Sequence, residues 1–519
     1  MITPNSTTPT IVRIAPPSNN SGRSHAAPDD VSVDSQKKPS ALKKLMKIAE
    51  RDIRYYLSTD GNIMVASTDL PHVAFPLSSN FCPPVAQVQV QYQNTYDEPV
   101  STSMVGNLKE SIRAHAITEA ATPVHIRAAR LDNEIWLDTG WSSGEVIRIT
   151  AAGWEVCMDS PVVFTRSNVM GMLPDPRSVN GDVSALERYV NCSQRDMPLM
   201  WAVLITSWCD GAPQPVFSLL GGADSGKSTS MRLLMDLVDP STTQSGASLP
   251  KDPRDFKALA KTRRVLSFDN VSHLDPSQSD YLARISTGGE LMSRALYSDD
   301  DAHVTQLMRP VWINGIMSGF SRSDLASRSV MIEVEPIEAG SRVSSDELNE
   351  RWELDRSIIF AGLLNMSSSV LATPKHVKRT GEHRLAEFEQ NLAAIDDLYG
   401  TTGINQLREQ TMSLSETVLN ATPLGSVLCR KIEEERGGKL LPIDSDSELL
   451  GHFSTQEFMQ LVRNRASEEE ARKLPNTTKA FGEALMRLKC DLERVMKIRI
   501  TKKRVRGGRR GWMVEDLIK

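Results

Sequence analysis

The residues best suited to chemistry lie in one short stretch, Gly221-Gly222-Ala223-Asp224-Ser225-Gly226-Lys227-Ser228, which fits the phosphate-binding pattern G-x-x-x-x-G-K-[ST]. Glycines let the backbone fold closely round an anion, so that successive N–H groups and the start of a following helix face it. Lys227 adds a mobile positive charge for the β- and γ-phosphates, and the hydroxyl of Ser228 suits Mg2+. Thr229 is the next candidate contact. The expected ligands are ATP and Mg2+. An apolar run read as a strand, Val216 to Leu220, precedes the loop, and a segment read as a helix, Thr229 to Val238, follows it. The structural alternative is a Gly-rich turn carrying a solvated lysine.

A phosphate loop holds nucleotide without positioning metal or water, so a second element is needed. Arg264-Val-Leu-Ser-Phe-Asp269 supplies an apolar strand ending in an acid. Asp269 is the candidate for holding Mg2+ through water; otherwise it caps a strand or begins a turn. Asn270 stands where related ATPases often carry a second acid that polarises the attacking water. Either another group activates that water or turnover is slow, and the sequence favours the first.

Around these residues the chain changes character several times. Residues 1–40 are rich in Ser, Pro, Asn and Thr with no helical or alternating period, which predicts a disordered tail. From Ala41 the spacing of Leu42, Leu45, Met46, Ile48, Ala49 and Ile53 predicts a helix. Alternating segments such as GNIMVAS, VAQVQVQYQ, PVHIRAARL, EIWLDTG and EVIRITAAGWEV then predict strands. Residues 41–175 are expected to form a mixed, strand-rich N-terminal domain without a chemical signature. In residues 176–345 helices alternate with the short apolar runs PVFSLLG, RRVLSFD, RPVWING and RSVMIEV, which predicts an α/β fold with a mostly parallel sheet. Residues 346–445 read as helical.

Composition sets outer limits. The chain has 519 residues, of which 40% are hydrophobic and 24% charged, enough for more than one core. Its net charge of -5 excludes a globally polycationic coat protein. Six scattered cysteines with no C-x-x-C pair read as reduced thiols. The longest apolar run, LMWAVLITSW, is about half of what a membrane-spanning helix needs. No membrane partner is expected, the N-terminus does not read as a secretory signal, and the expected location is the cytoplasm of a bacterial cell or phage-infected host.

Beyond the acid strand, four ordered motifs resemble the superfamily 3 type of AAA+ helicase, in particular the primase-helicase-like ATPases of phages and mobile elements. Leu282-Ala-Arg-Ile-Ser-Thr287-Gly288-Gly289-Glu290, then Ser293-Arg294-Ala-Leu-Tyr297, is similar to the family's T-G-G-[DE] with its following Arg and Tyr. The resemblance implies a hairpin facing a DNA channel, with Arg294 among the DNA contacts. Arg309-Pro-Val-Trp-Ile-Asn314-Gly315 resembles the sensor strand, whose Asn bonds the γ-phosphate or lytic water. Ser323-Asp324-Leu-Ala-Ser-Arg328 resembles the segment carrying an arginine finger, with Arg322 in reserve. The family implies that this finger acts on a neighbour's ATP in a ring, usually a hexamer. Each residue also has a structural alternative: a surface arginine for Arg294, a strand cap for Asn314, an ion pair for Arg328. The match covers about residues 190–340, and the family's primase acids are absent, so polymerising activity is not carried over.

Residues 446–519 bring a second signature. Two amphipathic helical segments, around Phe453 to Val462 and Asn476 to Leu492, precede a run from Lys497 to Arg510 with eight basic residues in fourteen and no acid. Helix, helix and a hairpin turning at Gly507-Gly508 resemble a winged-helix domain. Concentrated positive charge in an acidic chain reads as a phosphate footprint. Its candidate DNA contacts are Lys502, Lys503, Arg504, Arg506, Arg509 and Arg510, the alternative being a charged edge hairpin that resists aggregation.

The sequence therefore predicts an α/β protein with a P-loop AAA+ core, a strand-rich N-terminal domain and a winged-helix C-terminal domain. The expected function is that of an ATP-hydrolysing DNA helicase or translocase in replication of a phage, plasmid or integrated element. Expected partners are DNA, further copies of the chain and a primase or other replication protein. The alternative is a DNA-binding switch ATPase, an initiator or regulator without processive unwinding, which Asn270 favours. A small-molecule P-loop kinase is disfavoured by the basic hairpin and the lack of an acceptor site.

Overall fold

The computed structural model describes residues 40–518 except 244–245, 295–301, 316–322, 339, 341, 374–380, 382, 438–442, 444–446, 448 and 505–509. The expected N-terminal tail, Arg322, Arg506 and Arg509 thus lie outside the described residues.

The helix expected after Ala41 spans Ala41–Asp52, with Ser40 accepting the Lys43 N–H at its start. It packs with two further helices against a five-stranded mixed sheet. The strands run in the order Ile53–Leu57, Ile63–Ser67, Val73–Pro76, Val163–Thr165, Val124–His125. One expectation fails here. The segment VAQVQVQYQ belongs to a helix, Pro83–Tyr96, not a strand. Its Val and Gln alternate, but beyond Pro84 the buried residues are Val85, Val88 and Tyr92, a spacing of three and four that suits a helical face. Prolines at the first two positions preset its start.

A second antiparallel sheet follows, Ala128–Leu131, Glu134–Asp138, Val146–Thr150 and Gly153–Cys157. It packs on the long helix Ser345–Ala372, where Ser368 Oγ donates to Thr150 O at 2.7 Å and Trp154 Nε1 to Asn365 Oδ1 at 2.8 Å. Ile135, Leu137, Ile147 and Ile149 share one apolar core with Trp208, Phe217, Leu234 and Phe360. Segments 41–175 and 176–345 are therefore joined by a common interior.

The four apolar runs expected as strands are all present, at Val216–Leu220, Leu266–Val271, Val311–Gly315 and Ser329–Glu333. They form one parallel sheet in which the sensor strand, Val311–Gly315, separates the loop strand, Val216–Leu220, from the acid strand, Leu266–Val271; the edge strand, Ser329–Glu333, flanks the loop strand on its other side. Parallel strands carry helical crossovers, so both faces are covered and the runs read as continuously apolar. Between acid and sensor strands, Gly289–Arg294 pairs antiparallel with Ala302–Leu307, the hairpin that the sequence resemblance implies.

Helices Ser345–Ala372, Ala386–Tyr399, Gly403–Ala421 and Pro423–Glu435 fill the region expected to be helical. The last part begins with a short strand, Gly451–Ser454, and continues through helices Thr455–Arg465, Glu468–Lys473 and Thr478–Met496. It closes with the antiparallel strands Ile498–Arg504 and Arg510–Asp516, which flank the predicted Gly507-Gly508 turn. Its interior, with Phe458, Phe481, Leu485 and Trp512, is continuous with Phe268, Ile313 and Leu414. A buried pair, Arg436 to Asp516 at 2.8 Å, ties it to the preceding helix. Among the described residues no helix is long and apolar enough to cross a membrane.

Candidate nucleotide and nucleic-acid sites

The loop Gly221–Gly226 leaves the C-terminal end of the loop strand and enters the helix Lys227–Val238. Gly226 precedes that helix with φ of 80°, a conformation that glycine adopts without cost. The helix therefore begins with its free N–H groups turned to the loop, where they favour an anion. Lys227 Nζ folds back to donate to Gly222 O and to Ser225 Oγ, the latter at 3.3 Å.

Ser228 Oγ donates to Asp269 Oδ1 at 3.0 Å. Sheet order makes this possible, because loop strand and acid strand end on the same edge, one strand apart. A hydroxyl and a carboxylate are the hard-oxygen donors Mg2+ prefers, and these two residues would hold it.

Asp269 is presented by an irregularity. Pairing between acid and sensor strands slips between Phe268 and Val271, Asn270 takes φ of 55°, and its N–H donates to Asn314 Oδ1 at 2.8 Å. Asn314 is 2% exposed, and its Nδ2 makes no hydrogen bond among the described residues. It thus fixes the bulge from the strand that lies between the loop strand and the acid strand. The Asn270 side chain is exposed and adds no acid.

Two glycines permit close backbone approach beside Asp269: Gly246, which sequence reasoning missed, and Gly315, which it placed only as the end of the sensor motif. A Cβ on Gly246 would lie 2.6 Å from Asp269 Cβ, and one on Gly315 would lie 2.0 Å from Val271 O. Gly246 lies in a polar stretch with no local signal; its need for close approach arises because Ala247 pairs with Phe268.

Arg328 lies at the opposite edge of the sheet. Its carbonyl accepts Val216 N–H at 2.9 Å, before both loop strand and edge strand, whereas the phosphate loop follows Leu220. Five residues of strand, roughly 17 Å, separate it from its own chain's loop. The Arg328 side chain is buried, donates to Asp324 O at 2.6 Å and forms an ion pair with the Asp324 carboxylate. Arg384 approaches the same carboxylate at 2.8 Å. Burial would push the Asp324 pKa up, but Arg328 and then Arg384 outweigh it and hold it below the usual carboxylate range.

The N-terminal domain reaches the far end of the loop helix. Asp239, which follows Val238, accepts from Arg127 Nε at 3.0 Å, Arg264 N at 2.8 Å and Val265 N at 3.0 Å. Arg127 is fully buried and also donates to Asp138 O and Gly171 O. Nearby, Asp210 takes Arg264 and His125, the latter at 2.8 Å. Burial would raise the Asp210 pKa, yet Arg264 and then His125 hold it well below normal.

In the C-terminal hairpin Lys502, Lys503 and Arg504 are exposed. Lys502 lies over the Trp512 ring at 5.5 Å. Arg499 is instead neutralised by Glu493 at 2.7 Å. Arg510 pairs through its backbone with Arg504, and Arg294 occupies the last paired position of its own hairpin, opposite Ala302.

Residues 183–418 match the family model for the replication protein of actinomycete integrative conjugative elements. That span holds the phosphate loop, Asp269, Asn314 and Arg328, and amounts to a little under half of the chain. No curated protein matches. Among solved structures, the SCCmec type IV Cch active helicase is 12% identical, with 90% of this chain and 93% of that one covered at a TM-score of 0.39. The apo C-terminal region of NrS-1 is 10% identical, with 90% and 98% covered at 0.40. JCV helicase is 15% identical, with 45% and 64% covered at 0.25.

Proposed function

We propose that this protein is an ATP-hydrolysing DNA helicase or translocase that serves replication of an integrated mobile element. The observation that carries the reading is the Ser228–Asp269 contact at 3.0 Å beside Lys227, with Asn314 between the two strand ends. Such a site grips a triphosphate with Mg2+ and has little other use for that arrangement. The replication-protein family model over the same residues supports the assignment to mobile-element replication.

In this reading the loop N–H groups, helix start and Lys227 bind the phosphates, Ser228 and Asp269 hold the metal, and Asn314 orients the γ-phosphate or the lytic water. Arg328, out of reach of its own loop, serves a neighbouring copy in a ring, a hexamer in the resembling family, and leaves Asp324 to do so. ATP turnover then moves the hairpin that carries Arg294 along a DNA strand. The C-terminal part acts as a winged helix, its basic hairpin holding the DNA backbone. A primase or another replication protein is a further partner.

A second reading, a DNA-binding switch ATPase, is favoured by the exposed Asn270 side chain at the position of a second acid and by the engagement of Arg328 with Asp324. Strand displacement on forked DNA separates the two. The helicase reading expects ATP-dependent unwinding that is lost in Lys227→Ala. ATP binding and DNA binding without unwinding would establish the switch, and failure to bind ATP would exclude both.

A further inference from the structure

In the ATP-binding reading a triphosphate has a direction in this site. Asp269 stands on the acid strand and Asn314 on the sensor strand, so the γ-phosphate end would face that side. The opposite flank of the loop is formed by the chain leaving the edge strand. Val334 N–H donates to Leu220 O at 2.7 Å, and Val334 O lies 2.5 Å from where a Cβ on Gly221 would stand. Asn191 fastens the same stretch, accepting Glu335 N–H through its carbonyl at 2.8 Å and donating from Nδ2 to Glu335 O at 3.0 Å. Ile337 Cδ1 lies 3.3 Å from the Cβ position of Gly226. The chain is therefore held along the loop before it brings Arg342 to Asp224 at 3.5 Å.

Asp224 is an odd residue to find in a loop that cradles phosphates, since its carboxylate repels them. It takes φ of 61° at the tip and is 76% exposed, and its partner Arg342 is 59% exposed. An exposed pair of this kind is held weakly. A guanidinium facing a polyphosphate forms shorter, charge-assisted and often bidentate bonds. When the loop fills, the stronger acceptor lies beside the weaker one.

We propose that Arg342 is a further nucleotide-binding residue, which exchanges Asp224 for the polyphosphate when a nucleoside triphosphate enters. The inference rests on the ATP-binding reading above and adds a contact to it. Without nucleotide, Asp224 keeps Arg342 at the rim of the loop; with nucleotide, Arg342 closes the flank that Asp269 does not reach.

Titration of the full chain with a fluorescent ATP analogue and Mg2+ tests this through four proteins: wild type, Arg342→Ala, Asp224→Asn and the double variant. Arg342→Ala should weaken binding about ten-fold, the scale of one charge-assisted bond, and should do so again in the Asp224→Asn background. Arg342→Lys should recover part of the loss, and the difference should shrink as salt rises. If Arg342→Ala has no effect once Asp224 is Asn, Arg342 only neutralises its neighbour and the exchange is wrong. Wild type that binds while Arg342→Ala binds equally well overturns this inference alone. Wild type that does not bind overturns the ATP-binding reading with it.

Discussion

Asn314 reaches across from the sensor strand to accept the backbone N–H of Asn270 at 2.8 Å, so the residue beside Asp269 is set by the strand next door. Removing that acceptor frees a bulge that presents Asp269, and removes a donor from the site. Asn314→Ala should retain ATP within a few-fold and lose about 10² in turnover, the scale of one preorganised donor. Asn314→Asp keeps the acceptor for Asn270 but faces phosphate with a charge, so it should be no better. Steady-state hydrolysis beside nucleotide titration checks both.

Ser228 and Asp269 predict a metal signature. Ser228→Ala should raise the Mg2+ concentration needed for half-maximal hydrolysis about ten-fold while nucleotide still binds. Asp269→Asn should keep nucleotide and lose hydrolysis at every Mg2+ concentration, as read from a two-dimensional titration of ATP and Mg2+. Equal Mg2+ requirements in wild type and Ser228→Ala would remove the hydroxyl from the metal.

Arg127 and Asp239 form a buried pair with side-chain exposures of 0% and 5%. Taking away one partner leaves an uncompensated charge in the interior. Arg127→Met should therefore destabilise the chain by about 3–5 kcal/mol. Urea unfolding with a probe in each half would show the loss in both transitions, because Arg127 and Asp239 belong to different halves that share one core.

The basic hairpin predicts a salt dependence. Replacing Lys502, Lys503 and Arg504 with alanine together should lower the slope of log K against log salt by roughly 2–3, one released counterion per lost phosphate contact. Arg499→Ala should change it much less, because Glu493 already neutralises that side chain. Fluorescence anisotropy on duplex DNA at several salt concentrations measures the slopes.

His383 gives the chain an acid weakness. Burial pulls its pKa down to about 4, against the opposing pull of Glu389 and with Arg494 adding to the drop. A depressed histidine stays neutral in the fold while the unfolded chain takes up the proton. Stability from this group is thus full above about pH 6.5 and falls as pH drops toward 4, by about 3 kcal/mol in all. His383→Gln should flatten the stability profile over that window.

Much of the proposed nucleotide site could be assembled from sequence because its parts are local. The loop from Gly221 to Ser228 is one continuous stretch, and Asp269 ends an apolar run whose β character is plain. Asp324 lies four residues before Arg328, so the ion-pair alternative was visible too. Gly246, the close approach at Gly315 and the Arg342–Asp224 pair were not, since each depends on a neighbour supplied by sheet pairing or by the chain that leaves the edge strand. The helix Pro83–Tyr96 was misread because alternating Val and Gln mimic a half-buried strand, whereas packing against neighbouring helices and strands decided the period. The antiparallel strands at the C-terminus were readable from the basic run and the Gly507-Gly508 pair between them, and their attachment through Arg436 and Asp516 was not.

The clasp of Arg127 on Asp239 separates two ideas of a module. Similarity to the replication family begins at residue 183, but a polypeptide cut there would leave the foot of the helix Lys227–Val238 with a carboxylate stripped of its guanidinium. What is inherited as a unit and what can stand as a unit have different edges, and the second starts upstream of residue 127.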